Sequence, residues 1–297
     1  MIKIQNKNFD ELAKKYYLKI ENYINQSNTK YKLDDINCDL LTLFDKDLKQ
    51  IIISKPYEQR ELIKISPKDF TKSIMQLKDL YEVFRNKWAV ELIEDLDIQL
   101  CPFCNREYIF RFEDTKSKEA RIIATLDHYY DKDTYPFLAV SFYNLIPCCH
   151  ICNSKFKHSK NFYEIKHLHP YEDDFNKKAT FHLKLENSTF YYDKKGFDLE
   201  LKANSNNDQL TKNTISTFRL NDLYQNHKDI TLELIQKAQI YNESYIDELY
   251  QKYEGTLFKN REDVLRHITG GYIEDKDINK RPLSKLIKDI SEELDLI

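Results

Sequence analysis

Cys101-Pro-Phe-Cys104, Leu126-Asp127-His128 and Asn144-Leu-Ile-Pro-Cys-Cys149-His-Ile-Cys152-Asn153 follow one another in this chain and decide its predicted fold. Two CxxC pairs supply four thiolates, which is the ligand set of a tetrahedral structural zinc ion. An Asp-His pair together with two asparagines supplies oxygen ligands and a base for a harder cation. The sequence therefore predicts a Zn²⁺ site at Cys101, Cys104, Cys149 and Cys152 beside a second, oxygen-rich site.

Forty-four residues separate Cys104 from Cys149, more than the roughly 15–20 of a simple zinc ribbon. The insert must fold by itself, and closure by four thiolates would stabilise it by several kcal/mol. A site with three cysteines, completed by Cys148 or His150, is an alternative. Cys38 is expected to be a buried, inert thiol.

The composition favours a helical α+β protein. Of 297 residues, 41% are hydrophobic and 13% aromatic, so the chain can bury a sizeable core. Only four glycines and 32% charged residues are typical of amphipathic helices joined by polar loops. We expect a helical region at residues 1–97, the zinc-binding core at residues 98–170, and a hairpin followed by helices at residues 171–297.

Charge and hydropathy limit the function classes. The chain has no apolar run of membrane-spanning length and no signal-peptide pattern at its start, which predicts a cytoplasmic protein without a membrane partner. A net charge of −3 excludes a protein that coats nucleic acid by bulk charge. Residues 144–170 contain four lysines and one glutamate, so this stretch is the expected contact for a phosphate backbone.

Apolar periodicity predicts several elements. Apolar residues at helical spacing predict one helix between Phe9 and Ile24. They predict a longer helix that ends at Leu92, with Ser66 as its N-cap and Pro67 as its first residue. Alternating apolar residues predict two β-hairpins. The first pairs residues 107–112 with residues 121–128 around a polar turn at 113–118. The second pairs residues 180–185 with residues 189–201 around Lys194-Lys195-Gly196. Long helices are expected at residues 223–249 and 282–296, after a linker at 204–208.

The ordered Leu-Asp-His and Asn-Leu-x-x-x-Cys-x-x-Cys-Asn patterns resemble the HNH endonucleases, whose core is a ββα-metal fold. The resemblance covers about fifty residues, from Cys101 to Lys157. It implies that Asp127 and Asn153 coordinate one catalytic Mg²⁺ or Mn²⁺, that His128 is the general base, and that Asn144 braces the loop holding it. The chemistry agrees, because a neutral imidazole can deprotonate water and a hard cation can neutralise a scissile phosphate.

Basic residues after Asn153 are the candidate nucleic-acid contacts: Lys155, Lys157, His158 and Lys160. His167 and His169 follow them and are expected either to contact phosphate or, as is commoner for surface histidines, to be solvated. Tyrosines 129, 130, 135 and 143 either stack on bases or pack around the small core.

The flanks resemble, more weakly, HNH proteins encoded beside ATPases in bacterial antiphage systems such as Septu. The resemblance implies an ATPase partner and a role in antiviral defence. Aromatic residues of the terminal helices, including Trp88, Tyr241 and Tyr245, are expected either to form a docking surface for a partner or a second copy, or to pack on one another. The expected activity is hydrolysis of phosphodiester bonds, in DNA rather than RNA. The alternative is an inactive, zinc-stabilised nucleic-acid-binding or adaptor subunit.

Overall fold

The computed structural model of the chain describes residues 2–5, 8–113, 115 and 120–297. The predicted polar turn at 113–118 lies outside these residues, apart from Glu113 and Thr115. The chain divides into two compact units. The N-terminal unit comprises Ile4–Ile98 and Ile109–Asp173, and the C-terminal unit comprises Gln99–Tyr108 and Asp174–Ile297 with the first residues of the chain. Helices and small antiparallel sheets together give the predicted mixture of α and β structure.

Six helices precede the strands of the N-terminal unit: α1 (Phe9–Ile24), α2 (Leu33–Phe44), α3 (Leu48–Ile52), α4 (Pro56–Ile65), α5 (Lys72–Lys87) and α6 (Ala89–Leu96). The predicted first helix is confirmed at α1, which starts at an Asn8 side chain that accepts a hydrogen bond from the Glu11 backbone at 3.4 Å. Its inner face buries Tyr16, whose ring lies 4.7 Å from that of Phe84 on α5. The core of this unit is therefore rich in aromatic edge contacts.

The predicted long helix from Ser66 to Leu92 is wrong at its start and in its middle. Ser66 ends α4, and the N-cap of α5 is Thr71, whose hydroxyl accepts from the Ile74 backbone. The backbone then leaves helical geometry at Trp88, which separates α5 from α6. Both helices keep one apolar face, so periodicity alone did not indicate the break.

The strands of the N-terminal unit are β1 (Arg111–Glu113), β2 (Ala120–Ile122), β3 (Thr125–His128) and β4 (Leu145–Cys148). β1 pairs with β2, as predicted for this hairpin. Residues 125–128 do not continue that pairing, because β3 pairs antiparallel with β4. A helical turn, Ile151–Lys157, follows β4 directly. Hairpin β3–β4 and this turn thus form a consecutive strand, strand and helix.

The C-terminal unit contains the second predicted hairpin. Strands β5 (Ala179–Leu185) and β6 (Phe197–Ala203) pair antiparallel over their full length. The second strand starts at Phe197, because residues 188–191 and 194–196 form 3-10 turns instead. A Cβ at Gly196 would lie 2.4 Å from the Phe190 backbone nitrogen, so only glycine fits there.

Helices of the C-terminal unit are α7 (Phe175–Lys178), α8 (Gln209–Thr217), α9 (Leu220–Tyr224), α10 (Lys228–Ile240), α11 (Glu243–Tyr253), α12 (Arg261–Thr269) and α13 (Ser284–Glu293). The predicted last helix is confirmed at α13. The predicted helix at 223–249 is interrupted, because the side chain of Asn242 caps α11 by accepting from the Tyr245 backbone at 2.9 Å. No helix in the described residues is long and apolar enough to cross a membrane.

Asn105 joins the first cysteine pair to α13 inside the C-terminal unit. It is fully buried and has a φ of 52°. Its side-chain oxygen accepts from the Lys285 backbone at 3.2 Å, and its amide donates to the Ile278 carbonyl at 3.2 Å. Its own carbonyl accepts from the Leu283 backbone at 2.8 Å. Asparagine suits this position because it tolerates a left-handed backbone and satisfies two buried backbone groups.

We expect Asn105→Ala to lower the free energy of unfolding by about 2–4 kcal/mol, since two buried backbone groups lose their partners. Urea denaturation of the zinc-loaded protein measures this change. Asn206→Ala, at an exposed asparagine, is the matched control and should change stability by under about 0.5 kcal/mol. A loss below about 1 kcal/mol at Asn105 would contradict the assigned role.

Candidate metal and catalytic site

The first cysteine pair lies in a tight turn. The Cys101 backbone donates to the Glu107 carbonyl at 2.9 Å, and the Asn105 backbone donates to the Cys101 carbonyl at 2.9 Å. Phe103, between the two cysteines, stacks on Phe218 with ring centroids 4.5 Å apart. These contacts fix both thiol groups in a buried position.

The second cysteine pair starts the helical turn after β4. The Cys152 backbone donates to the sulfur of Cys149 at 3.5 Å, so the chain wraps around that sulfur. Cys148, one residue earlier, is buried on β4 beside the Thr125 hydroxyl. Burial raises the pKa of the Cys148 thiol well above its ordinary value, which keeps it protonated.

Four buried thiols cluster as predicted, those of Cys101, Cys104, Cys149 and Cys152, and their sulfur atoms all lie within 4.8 Å of one another. Zinc–sulfur bonds of about 2.3 Å place tetrahedral thiolates at separations compatible with this bound. No disulfide involves any of the six cysteines, all of which lie in the described residues. The donor set and its spacing fit a metal ion such as zinc. Neither Cys148 nor His150 belongs to this cluster. The expectation that Cys38 is buried is wrong, because this cysteine is exposed.

Asp127 lies on β3 opposite Ile146 and is 2% exposed. Its Oδ1 atom lies 2.9 Å from the ammonium nitrogen of Lys157. Among the described residues, no hydrogen-bond donor reaches its Oδ2 atom, although that atom is buried. Burial raises the pKa of the Asp127 carboxyl, and the neighbouring Lys157 ammonium opposes this shift. The site therefore holds a buried carboxylate with one oxygen paired and one without a protein donor.

His128, the next residue, is 9% exposed. Its Nε2 atom lies 2.9 Å from the Ala139 carbonyl oxygen, and its ring contacts Tyr81 at a centroid distance of 4.3 Å. A carbonyl only accepts, so Nε2 carries the proton and Nδ1 keeps the lone pair. Burial lowers the pKa of His128 to about 3. The imidazole is therefore neutral at physiological pH.

Asn144 closes the loop between the two strands. Its side-chain oxygen accepts from the Tyr130 backbone at 2.7 Å, and its amide donates to the carbonyls of Tyr130 and Leu138, both at 3.0 Å. Its own carbonyl accepts from the Tyr129 backbone at 2.8 Å. These bonds fix the chain on both sides of the β3–β4 loop beside His128.

The helical turn Ile151–Lys157 has π rather than α geometry, with the His158 backbone donating five residues back to the Asn153 carbonyl at 2.8 Å. Five residues of an α-helix rotate by about 500°, which would separate Cys152 and Lys157 by about 140° around the axis. With i→i+5 bonding each residue rotates by less than in an α-helix, so this angular separation is smaller, and both side chains are buried. Asn153 is half-buried near the start of this turn.

The four predicted nucleic-acid contacts divide into two groups. Lys155, His158 and Lys160 are exposed. Lys157 is buried and paired with Asp127, so its ammonium is not at the surface with the others. Nothing in the local sequence marks this difference, because Lys157 lies among other lysines.

The aromatic and histidine neighbours of the site pack inward. Tyrosines 129, 130, 135 and 143 are all buried, which agrees with packing around the core rather than stacking on bases. The expectation of solvated histidines at 167 and 169 is wrong, since both side chains are buried. His167 stacks on Phe162 at 3.8 Å, and burial lowers the pKa of His169 to about 3.

Comparison of the chain with protein-family models, curated proteins and solved structures gave no match.

We expect purified protein to contain about one zinc ion per chain, because four buried thiolates converge. Cys152→Ser should lose the metal and lower the melting temperature, since the remaining three thiols leave the tetrahedral set incomplete. Cys148→Ser, the adjacent buried cysteine outside the cluster, is the control and should keep its zinc. Elemental analysis measures both. Full zinc occupancy in Cys152→Ser would contradict the four-cysteine assignment.

Proposed function

We propose that this chain is a metal-dependent endonuclease of the HNH type, which hydrolyses phosphodiester bonds of nucleic acid, DNA in preference to RNA. The observation that carries the proposal is the buried Oδ2 atom of Asp127, which has no donor in the described residues, followed on the same strand by His128, whose ring the Ala139 carbonyl orients. The order of β3, β4 and a helical turn supports it, because this order places the Asp-His pair on a strand and Asn153 on the following helix.

Asp127 and Asn153 would hold a Mg²⁺ or Mn²⁺ ion in this proposal. An unpaired carboxylate oxygen fits a hard cation, and an amide oxygen is a ligand of the same class. When bound, such an ion supplies neutralisation of the scissile phosphate and of the leaving oxygen.

His128 would act through Nδ1, since Nε2 donates to the Ala139 carbonyl. The carbonyl fixes both the tautomer and the orientation of the ring, and Nδ1 then accepts a proton from the attacking water. Asn144 would keep the β3–β4 loop in the conformation that supports this geometry. The exposed cations of Lys155 and Lys160 would bind the phosphate backbone next to the site.

Antiphage defence with an ATPase partner belongs to the same proposal and rests on the resemblance of the flanking segments. Trp88 packs against Tyr23 and Phe84. Tyr245 instead stacks on Tyr241 and stays 41% exposed. The C-terminal helices thus keep aromatic surface that a partner or a second copy would cover.

One observation favours a second function, that of an inactive nucleic-acid-binding or adaptor subunit. The pairing of Asp127 with Lys157 neutralises the carboxylate without a metal. Incubation of the protein with plasmid, single-stranded DNA and tRNA, each with Mg²⁺ or EDTA, separates the two functions. Metal-dependent cleavage of any polymer supports the nuclease, and binding without cleavage under all conditions supports the adaptor.

We expect His128→Ala to slow cleavage by about 10²–10⁴-fold while substrate binding is kept, because only the proton acceptor is removed. His150→Ala, at an exposed histidine of the second cysteine pair, is the control and should cleave like the wild type. Single-turnover cleavage and equilibrium binding are the measurements. Wild-type cleavage by His128→Ala would refute the assignment of the base.

We expect the double variant Lys155→Ala/Lys160→Ala to lose about two phosphate contacts. The slope of log K against log salt for DNA binding should then become shallower by about 1.8. Lys14→Ala combined with Lys68→Ala removes the same charge from exposed positions elsewhere and should leave the slope unchanged. Fluorescence anisotropy between low and physiological salt measures both. Equal slopes in both double variants would assign Lys155 and Lys160 to ordinary solvated surface.

A further inference from the structure

Lys157 is a buried cation inside the proposed metal site. Its ammonium lies 2.9 Å from Oδ1 of Asp127, donates to the His128 carbonyl at 2.6 Å, and lies 5.0 Å from the centre of the Phe162 ring. Only 3% of its side chain is exposed. The amine thus contacts both residues of the Asp-His pair, one through its carboxylate and the other through its backbone.

A divalent cation on Asp127 would share one carboxylate with this ammonium. Carboxylate oxygens are only about 2.2 Å apart, so the two cations would lie within several Å of each other in a buried site, where screening by water is weak. A single negative charge cannot stabilise three positive charges at that distance. Binding of a metal and retention of the Lys157 ion pair are therefore in competition.

We propose that Lys157 is the resident counter-ion of Asp127, which a divalent cation must displace, and that it thereby sets the metal concentration at which the site fills. The inference rests on the proposed function, because it takes Asp127 as a metal ligand. Displacement is feasible at this end of the helical turn. Lys157 is its last residue, and the following His158 is exposed and has a left-handed φ of 46°, which a residue with a Cβ adopts only at a cost.

The first experiment is Mn²⁺ titration by calorimetry of the zinc-loaded protein without nucleic acid. Lys157→Met keeps the length and apolar volume of the side chain but removes its charge, and we expect it to bind Mn²⁺ at least tenfold more tightly than the wild type. Lys155→Met is the matched control, since it removes one charge from the exposed side of the same turn and should change affinity by less than about twofold. Equal or weaker binding by Lys157→Met, or binding by neither protein, overturns the proposal.

Cleavage assays of the same variants distinguish this inference from the proposed function. If Lys157→Met binds Mn²⁺ more tightly but no variant cleaves nucleic acid, the proposed nuclease activity is refuted and the counter-ion role of Lys157 is supported. If the wild type and Lys157→Met both cleave, with the same half-saturating metal concentration, the nuclease activity is supported and the counter-ion role of Lys157 is refuted.

A second measurement uses the unaltered protein, because loss of Lys157 leaves a buried carboxylate without its partner and can unfold the chain. Amine acetylation followed by peptide mass spectrometry reports the accessibility of each lysine. We expect Mn²⁺ to raise the labelling of Lys157 several-fold and to leave that of Lys155 unchanged. Labelling of Lys157 that is unaffected by saturating Mn²⁺ overturns the proposal.

Discussion

The buried pairing of Asp127 with Lys157 is the interaction on which the rest of the candidate site depends. A carboxylate that is almost fully removed from water is stable only with a partner, and the nearest positive charge comes from the end of the helical turn after β4. The same ammonium binds the His128 carbonyl, so one side chain connects the strand of the Asp-His pair to the helix. Removing it would disturb the carboxylate and the position of the imidazole together.

The sequence predicted the parts of the site that local chemistry specifies. Two CxxC pairs require a common ligand wherever the chain places them, and the four thiols do converge. The α+β class and the helices at Phe9–Ile24 and at the C-terminus followed from periodicity. A strand was predicted at the Asp-His pair, but with residues 107–112 as its partner; it pairs instead with β4, which the pattern of residues did not predict.

Periodicity failed where one side chain or one backbone conformation decides the outcome. The helix predicted to run through Tyr241 is divided because the Asn242 amide competes successfully as a cap for the next segment. Lys157 was expected at the surface because it lies in a net basic stretch with Lys155 and Lys160, and an α-helical turn would also carry it away from buried Cys152. The observed π geometry returns it to the buried side, and no residue preference in this segment indicates that geometry.

A second buried pair in the chain shows what a purely structural ion pair looks like. Lys285 and Asp289 lie one turn apart on α13, and both Asp289 oxygens contact the ammonium at 3.0 and 2.7 Å. Asp289 also accepts from the Phe181 backbone at 2.9 Å, so neither of its oxygens lacks a donor. Asp127 has the same kind of partner and similar burial, but its Oδ2 atom has no donor in the described residues. A buried acceptor without a donor costs about 1–3 kcal/mol, and the structural pair avoids that cost. The difference between the two aspartates is therefore a physical reason to look for a ligand at Asp127 and none at Asp289.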